Sequence, residues 1–185
     1  MSSPARTQEA VKLNLIRLIK TDYAAQYDYK QESARRRRLL AVPRILANPS
    51  LHAVIMIRFA LAGPRPLFFL WRNILIAKHS IDVAPGCEIG PGLKLPHPIG
   101  VVLASGVKVG SDVKLFQHVT LGVVRPPTPF GQKLEVPQLG DHVTVYANSV
   151  VTGSITLGDS AVIGANSFVN RDVATGEVFR RGGSA

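Results

Sequence analysis

The sequence predicts a mainly β fold, a parallel β-helix of six-residue repeats behind a short α-helical front segment, and three observations carry that prediction. Aliphatic residues recur every six positions from Val83 onward. Glycine follows many of them directly. The residues before Ser80 instead place apolar side chains at helical spacing, interrupted by Pro43, Pro49 and Pro64.

Val83, Ile89 and Leu95 form the first aliphatic series. Leu103, Val109, Leu115 and Leu121 resume it two residues out of phase, with a companion row at Val101, Val107, Val113 and Val119. A third block holds Leu139, Val145, Val151, Leu157, Ile163 and Val169, and its companions are Val143, Ser149, Ile155, Ala161, Ser167 and Val173. Each hexapeptide supplies one short flat strand and one corner, so three close a triangular coil. The aliphatic side chains of successive coils then stack inside the prism, each worth roughly 1.5–3 kcal/mol on burial. Residues 81 to 174 are expected to give about five coils.

Two departures from the repeat are more informative than the repeat. The two-residue phase shift between Leu95 and Leu103 brackets Pro96-His97-Pro98-Ile99-Gly100. The stretch from Val124 to Val136 holds Pro126, Pro127, Pro129 and Gly131, and cannot stay in the coil. It is expected to leave the prism as an excursion loop, about 124–136, replacing about two faces of one coil.

These patterns divide the chain into a helical region, residues 1–78, a prism, residues 79–175, and a tail, residues 176–185. In the front region helical spacing runs from Asn14 to Tyr29 and extends through Leu39 to Leu46 and Leu51 to Ala62. The apolar stretch from Leu51 to Ile76 is broken by three arginines and by Gly63-Pro64, and so reads as two short helices rather than a membrane span. With no leader-like start and one cysteine, Cys87, the cytoplasm is the expected compartment.

The net charge of +10 is entirely a property of the front. Residues 1–80 hold fourteen Lys and Arg against four Asp and Glu, whereas residues 81–185 hold eight of each. The run Arg35 to Arg38 lacks interleaved aromatics, so nucleic acid is not the expected partner. It reads as a solvated face or as a peripheral contact with an anionic membrane at the inner face.

The segments Ile81-Asp82-Val83-Ala84-Pro85-Gly86, Leu95-Pro96-His97-Pro98-Ile99-Gly100-Val101-Val102 and Phe116-Gln117-His118-Val119-Thr120-Leu121-Gly122 resemble the serine acetyltransferase family of hexapeptide acyltransferases. Leu51-His52-Ala53 with Arg58 is similar to the end of that family's helical domain. The resemblance covers about residues 45–175. It implies left-handed prisms, a homotrimer or a dimer of trimers, sites between neighbouring prisms, and direct acetyl transfer from acetyl-CoA without an acyl-enzyme; no metal is expected.

His97 matches the family's general base. An alcohol is a poor nucleophile at neutral pH, and a neutral imidazole can take its proton as the thioester is attacked. The resemblance puts the oxyanion donor in the backbone after Gly122, at the N–H of Val123. Ala147 matches a position that contacts the cofactor through its backbone, with Gly164 and Ala165 as further candidates. His118 and Glu135 are candidates for the acceptor pocket.

The acceptor side departs from the family pattern. Pro96 stands where the family has an acid before the histidine, and Glu135 and Val136 stand where an Arg-His pair grips the serine carboxylate. For the acid of the helical domain, Asp22 and Asp28 are loose candidates. The C-terminus lacks the isoleucine that docks cysteine synthase, so that partner is not expected. These departures favour a sugar or polysaccharide precursor as the hydroxyl acceptor, with free serine as the alternative. A trimeric scaffold without catalysis is a further alternative. So is a zinc site drawing on His97, His118 and His142, although the close histidine pair such a site needs is missing.

Overall fold

The structure, a computed structural model, describes residues 4–26, 42–45, 47–123 and 135–180. From Asp82 onward the backbone winds as a left-handed parallel β-helix whose strands are two or three residues long. The first face stacks β1 (Asp82–Val83), β3 (Val102–Leu103), β6 (Thr120–Gly122), β9 (Val150–Thr152) and β12 (Phe168–Val169). The second face stacks β2 (Glu88–Ile89), β4 (Lys108–Val109), β7 (Gln138–Leu139) and β10 (Thr156–Leu157). The third stacks β5 (Lys114–Leu115), β8 (Thr144–Val145), β11 (Val162–Ile163) and β13 (Val178–Phe179).

The period-six aliphatics fill the prism: Leu95, Leu115, Leu121, Leu157 and Ile163 are sealed from solvent, as are the companions Val107, Val113, Val119 and Val143. Two companions are polar. Ser149 is tolerated because its hydroxyl donates to the Gly164 carbonyl at 2.8 Å and accepts the Ser167 N–H at 3.3 Å, which offsets its desolvation.

Both irregularities are visible in the register. An ordinary coil pairs residues eighteen apart, as Leu103 with Leu121, whereas Val83 pairs with Leu103 and Ile89 with Val109, twenty apart. The first coil is therefore two residues longer, and since Lys94 bridges Lys114 in step with this, the surplus lies in the corner after Leu95. The excursion, by contrast, replaces no face, contrary to expectation. β6 is followed by β7 on the next face, and Val109 pairs with Leu139, thirty residues on. Twelve residues are thus inserted at one corner, and the core ladder passes the insertion unbroken; residues 124–134 lie outside the described residues. The prism also outruns the expected boundary at 175, because β13 pairs with β11.

Among the described residues the prism is preceded by a short helical stretch at 42–45 and by three longer helices, α1 (Pro4–Gln26), α2 (Pro49–Ala62) and α3 (Arg65–His79). α1 begins ten residues before the predicted spacing does, and α2 and α3 are the two short helices expected on either side of Gly63-Pro64. Asn48 caps α2 by accepting the Leu51 N–H at 3.1 Å, with Pro49 in the first turn where no intrahelical donor is needed. α3 stops at Ser80, whose left-handed φ of 53° turns the chain into the first coil. Ala53, Val54, Met56, Ile57 and Leu75 join Ile81, Val83 and Leu93 in one continuous core.

Two ion pairs fasten this packing. Arg72 forks onto Asp82 at 2.7 and 2.8 Å, tying α3 to β1. Asp22 and Arg58, both buried, join α1 to α2. α3 leaves Leu67, Phe69, Leu70, Ile74 and Ile76 exposed on the same chain. Among the described residues no helix is long and apolar enough to cross a membrane. The run Arg35 to Arg38 and Asp28 lie outside the described residues.

Candidate active site

His97 sits in the enlarged corner between Lys94, on the third face, and β3, on the first. That corner is held from several sides. Pro98 is buried, the Ile99 N–H donates to the His97 carbonyl at 2.8 Å, and the Gly100 N–H reaches the His79 carbonyl at the end of α3 at 3.3 Å. His97 itself is exposed, with its ring centroid 6.3 Å from that of Phe116, which stacks in turn on Tyr146 at 4.8 Å. The corner's backbone is thus pinned by helix and turn contacts, while among the described residues no hydrogen bond occupies the exposed imidazole.

One edge of the prism, between the third and first faces, carries most of the candidates. His118 is one coil above His97, and its N–H donates to the Ile99 carbonyl at 3.0 Å. Gly100, His118, Asn148 and Asn166 stack there with φ of 68°, 57°, 60° and 57°. A Cβ on Gly100 would lie 2.2 Å from His118 Nδ1, so only glycine lets the imidazole cover this corner. Ala147 is on the same edge and its carbonyl accepts the Asn166 N–H at 2.9 Å. Gly164 and Ala165 follow one coil later, with the Gly164 N–H bound to the Phe179 carbonyl at 2.8 Å.

Gly122 and Val123 are elsewhere. They close β6 at the edge between the first and second faces, where Val123 is half-buried. A Cβ on Gly122 would meet nothing closer than 3.5 Å, so space does not demand glycine there. Glu135 is exposed at the far end of the same insertion, and Val136 packs against the core. The fold thus gathers His97, His118, Ala147, Gly164 and Ala165 on one edge and leaves Gly122, Val123 and Glu135 on another.

A cavity of about 530 Å³ opens beside His97. The coil wall is Pro96, His97, Pro98 and Ile99, and the helical wall is Asn48, Pro49, Ser50, Lys78 and His79. Neither His118 nor Glu135 lines it. His79 is buried, and its Nε2 meets His52 Nδ1 at 2.9 Å. Burial, reinforced by the Lys78 ammonium, lowers the pKa of both rings, and for His79 the neighbouring His52 contributes as well. Both are therefore neutral near pH 7, with one ring donating to the other. Sequence reading missed this wall, because Ser50, Lys78 and His79 belong to helices whose placement against the corner no spacing reveals.

Asp22 is not available to an acceptor. It is fully buried, accepts from Arg58 at 2.8 and 3.0 Å, and accepts the Gly92 and Leu93 N–H groups at 2.8 and 3.1 Å. Cys87 is buried too, and burial pushes its thiol up to about 11, which leaves it protonated and unreactive. Among the described residues no group of three or more His, Cys, Asp or Glu is placed to hold a metal. His142 lies on the third edge, 4.0 Å from Asp112.

Residues 137–171 match the bacterial transferase hexapeptide model, six repeats. Over 136 residues the chain is 36% identical to a serine acetyltransferase of Helicobacter pylori, covering 71% of this chain and 77% of that one. It is 35% identical over 133 residues to a serine acetyltransferase of Bacillus subtilis, covering 70% and 59%. Among solved structures, Neisseria gonorrhoeae serine acetyltransferase in complex with serine superposes with a TM-score of 0.69 at 26% identity, over 92% of this chain and 68% of that one. Entamoeba histolytica serine acetyltransferase 1 in complex with L-cysteine gives 0.70 at 28%, over 88% and 61%. The chain thus spans about three quarters of the Helicobacter relative and about three fifths of the Bacillus one. It belongs to the serine acetyltransferase family of hexapeptide-repeat acyltransferases, and with it to the acetyl-CoA-dependent O-acyltransferases.

Proposed function

We propose that the chain transfers an acetyl group from acetyl-CoA to the hydroxyl of L-serine, with His97 as general base. The carrying observation is the enlarged corner that presents His97 to a cavity of about 530 Å³, a size suited to a small acceptor. The imidazole takes the hydroxyl proton as the oxygen attacks the thioester carbon, and returns it to the departing CoA sulfur. The Val123 N–H stabilises the oxyanion. Ala147, Gly164 and Ala165 line the cofactor's course. Names among the relatives favour serine over the sugar or polysaccharide precursor that the sequence departures suggested.

Because His97 and Val123 stand on different edges, the complete site is formed between neighbouring prisms, and the working unit is a homotrimer. The exposed apolar side chains of α3 support association with further copies, in a trimer or a dimer of trimers.

A second reading, a hydroxyl on a glycan precursor near an anionic membrane, is favoured by one observation. Among the described residues that line the cavity none is a carboxylate that would pair with the serine ammonium. Incubation with acetyl-CoA and L-serine, following free CoA thiol, separates the two. Serine-dependent release that falls by at least roughly 10² in His97→Ala supports the first. Release no faster than hydrolysis removes serine and leaves the glycan reading. An absence of acetyl-CoA binding by calorimetry would leave only a scaffold.

A further inference from the structure

The outer face of α3 has no cover among the described residues. Phe68, Leu75 and His79 are buried on the inner side, whereas Leu67, Phe69, Leu70, Ile74 and Ile76 stand exposed. At 3.6 residues per turn these five share one side of the helix, where Asn73 is the only polar residue. A helix that is apolar on both sides calls for a second apolar partner besides the core. Its charge tells which kind. α3 holds Arg65, Arg72 and Lys78 and no carboxylate. Arg72 is taken by Asp82, but Arg65 and Lys78 are exposed, fall at opposite margins of the apolar face and make no ion pair among the described residues. The chain's whole positive excess also lies in residues 1–80, the region that carries α3.

An apolar face rimmed by cations is the pattern of a helix lying in the surface of an anionic bilayer, with lysine and arginine stems reaching to the headgroups. A further copy of the chain, laid face to face, would cover the apolar side chains but set one cationic rim against another. An anionic bilayer answers both features. A cavity of about 480 Å³ beside the start of α3 adds an independent observation. Leu61, Phe68, Phe69 and Cys87 line it, and Arg65 is the one charged residue on its wall. It offers a lipid acyl chain a slot, with a cation for the lipid phosphate.

We infer that the outer face of α3, with the cavity at its start, docks the chain on an anionic phospholipid bilayer. With fifteen residues α3 is too short to span a membrane, so it lies along the surface. Lys78 also lines the cavity beside His97, so docking holds that cavity at the lipid surface, whichever hydroxyl is acetylated.

The test is co-sedimentation of the full chain with vesicles of phosphatidylcholine alone and of phosphatidylcholine and phosphatidylglycerol in equal parts. Binding is expected to be at least about tenfold tighter to the anionic vesicles and to weaken with salt. Leu70→Gln with Ile74→Gln leaves the charge unchanged and replaces exposed side chains, so the fold is retained, which the melting temperature checks. That variant is expected to bind anionic vesicles at least about tenfold more weakly while keeping the wild type's oligomeric mass. Arg65→Gln and Lys78→Gln, a second route to the same readout, are expected to weaken binding about fivefold each. No binding to anionic vesicles, equal binding to both kinds, or binding that survives Leu70→Gln with Ile74→Gln overturns the inference. So does a fall in oligomeric mass in that variant, which would assign the face to a second copy. None of these outcomes touches the acetyltransferase reading, which thiol release without vesicles tests separately.

Discussion

The Arg58 guanidinium forks onto the Asp22 carboxylate at 2.8 and 3.0 Å with both side chains sealed from solvent, and this pair locks the helices to the first coil. Arg58 also donates to the Ile89 and Gly90 carbonyls at 2.6 Å each, while Asp22 takes the Gly92 and Leu93 N–H groups. Every polar atom of the pair that matters is thus satisfied by the β2 corner. Removing one partner strands the other charge, at a cost of about 3–5 kcal/mol. Asp22→Ala is therefore expected to lower the melting temperature by more than ten degrees. Thermal unfolding by circular dichroism checks this, and a shift of only a degree or two would show that the pair does not join the two regions.

His97 and Val123 occupy different edges of one prism, which makes a subunit-mixing experiment decisive. On the proposed trimer, with His97 as base and Val123 as oxyanion donor, the His97→Ala and Val123→Pro proteins are each expected to lose at least roughly 10² in turnover. When the two are unfolded together and refolded, mixed trimers contain interfaces with both native groups. Activity should then return to a measurable fraction of wild type. If mixing recovers nothing while mixed trimers form, the two groups act within one chain.

Gly100 is held at φ 68° with no room for a side chain beneath the His118 ring. Gly100→Ala introduces backbone strain of about 1–2 kcal/mol and pushes the imidazole away. Because Gly100 closes the corner that carries His97, the proposed base, turnover is expected to fall at least about tenfold with a smaller change in KM for acetyl-CoA. Steady-state kinetics on the variant separate the two quantities. An unchanged turnover would show that the corner tolerates displacement.

The His52–His79 pair makes stability depend on pH. Both rings have lowered pKa values in the folded chain, from burial first, then from Lys78 for His52 and from His52 and Lys78 for His79. The unfolded chain, with histidine near 6.5, therefore binds protons more readily over the interval below that value. Their contribution is complete above about pH 6.5 and is lost as pH falls toward the folded values. Denaturant titrations at pH 7.5 and pH 5.5 should show a fall that is smaller in His52→Gln. An equal fall in the variant would assign the acid sensitivity to other groups.

The prism was legible in the chain because its physics is local and repetitive. An aliphatic every six residues can be buried only by a coil that returns every eighteen, so Leu103, Leu121 and their neighbours announce the ladders directly. The corner of His97 was legible for the opposite reason, as a break in phase. The insertion was misread in extent. Spacing alone counts eighteen residues from Leu121 to Leu139 and cannot tell three faces from one face plus a loop, whereas hydrogen bonding puts Leu139 beside Val109.

The amino-acid sequence by itself determined the repeat, its two interruptions and the residue types offered at each corner, because periodicity encodes which side chains must face inward. Only the tertiary structure decided which of those corners share an edge, and that Asp22 is spent on Arg58. It also set Ser50, Lys78 and His79 against His97. Those relations join residues distant in the chain, 36 positions for Asp22 and Arg58 and more for Ser50 and His97, where burial and charge pairing settle the geometry and no local pattern records it.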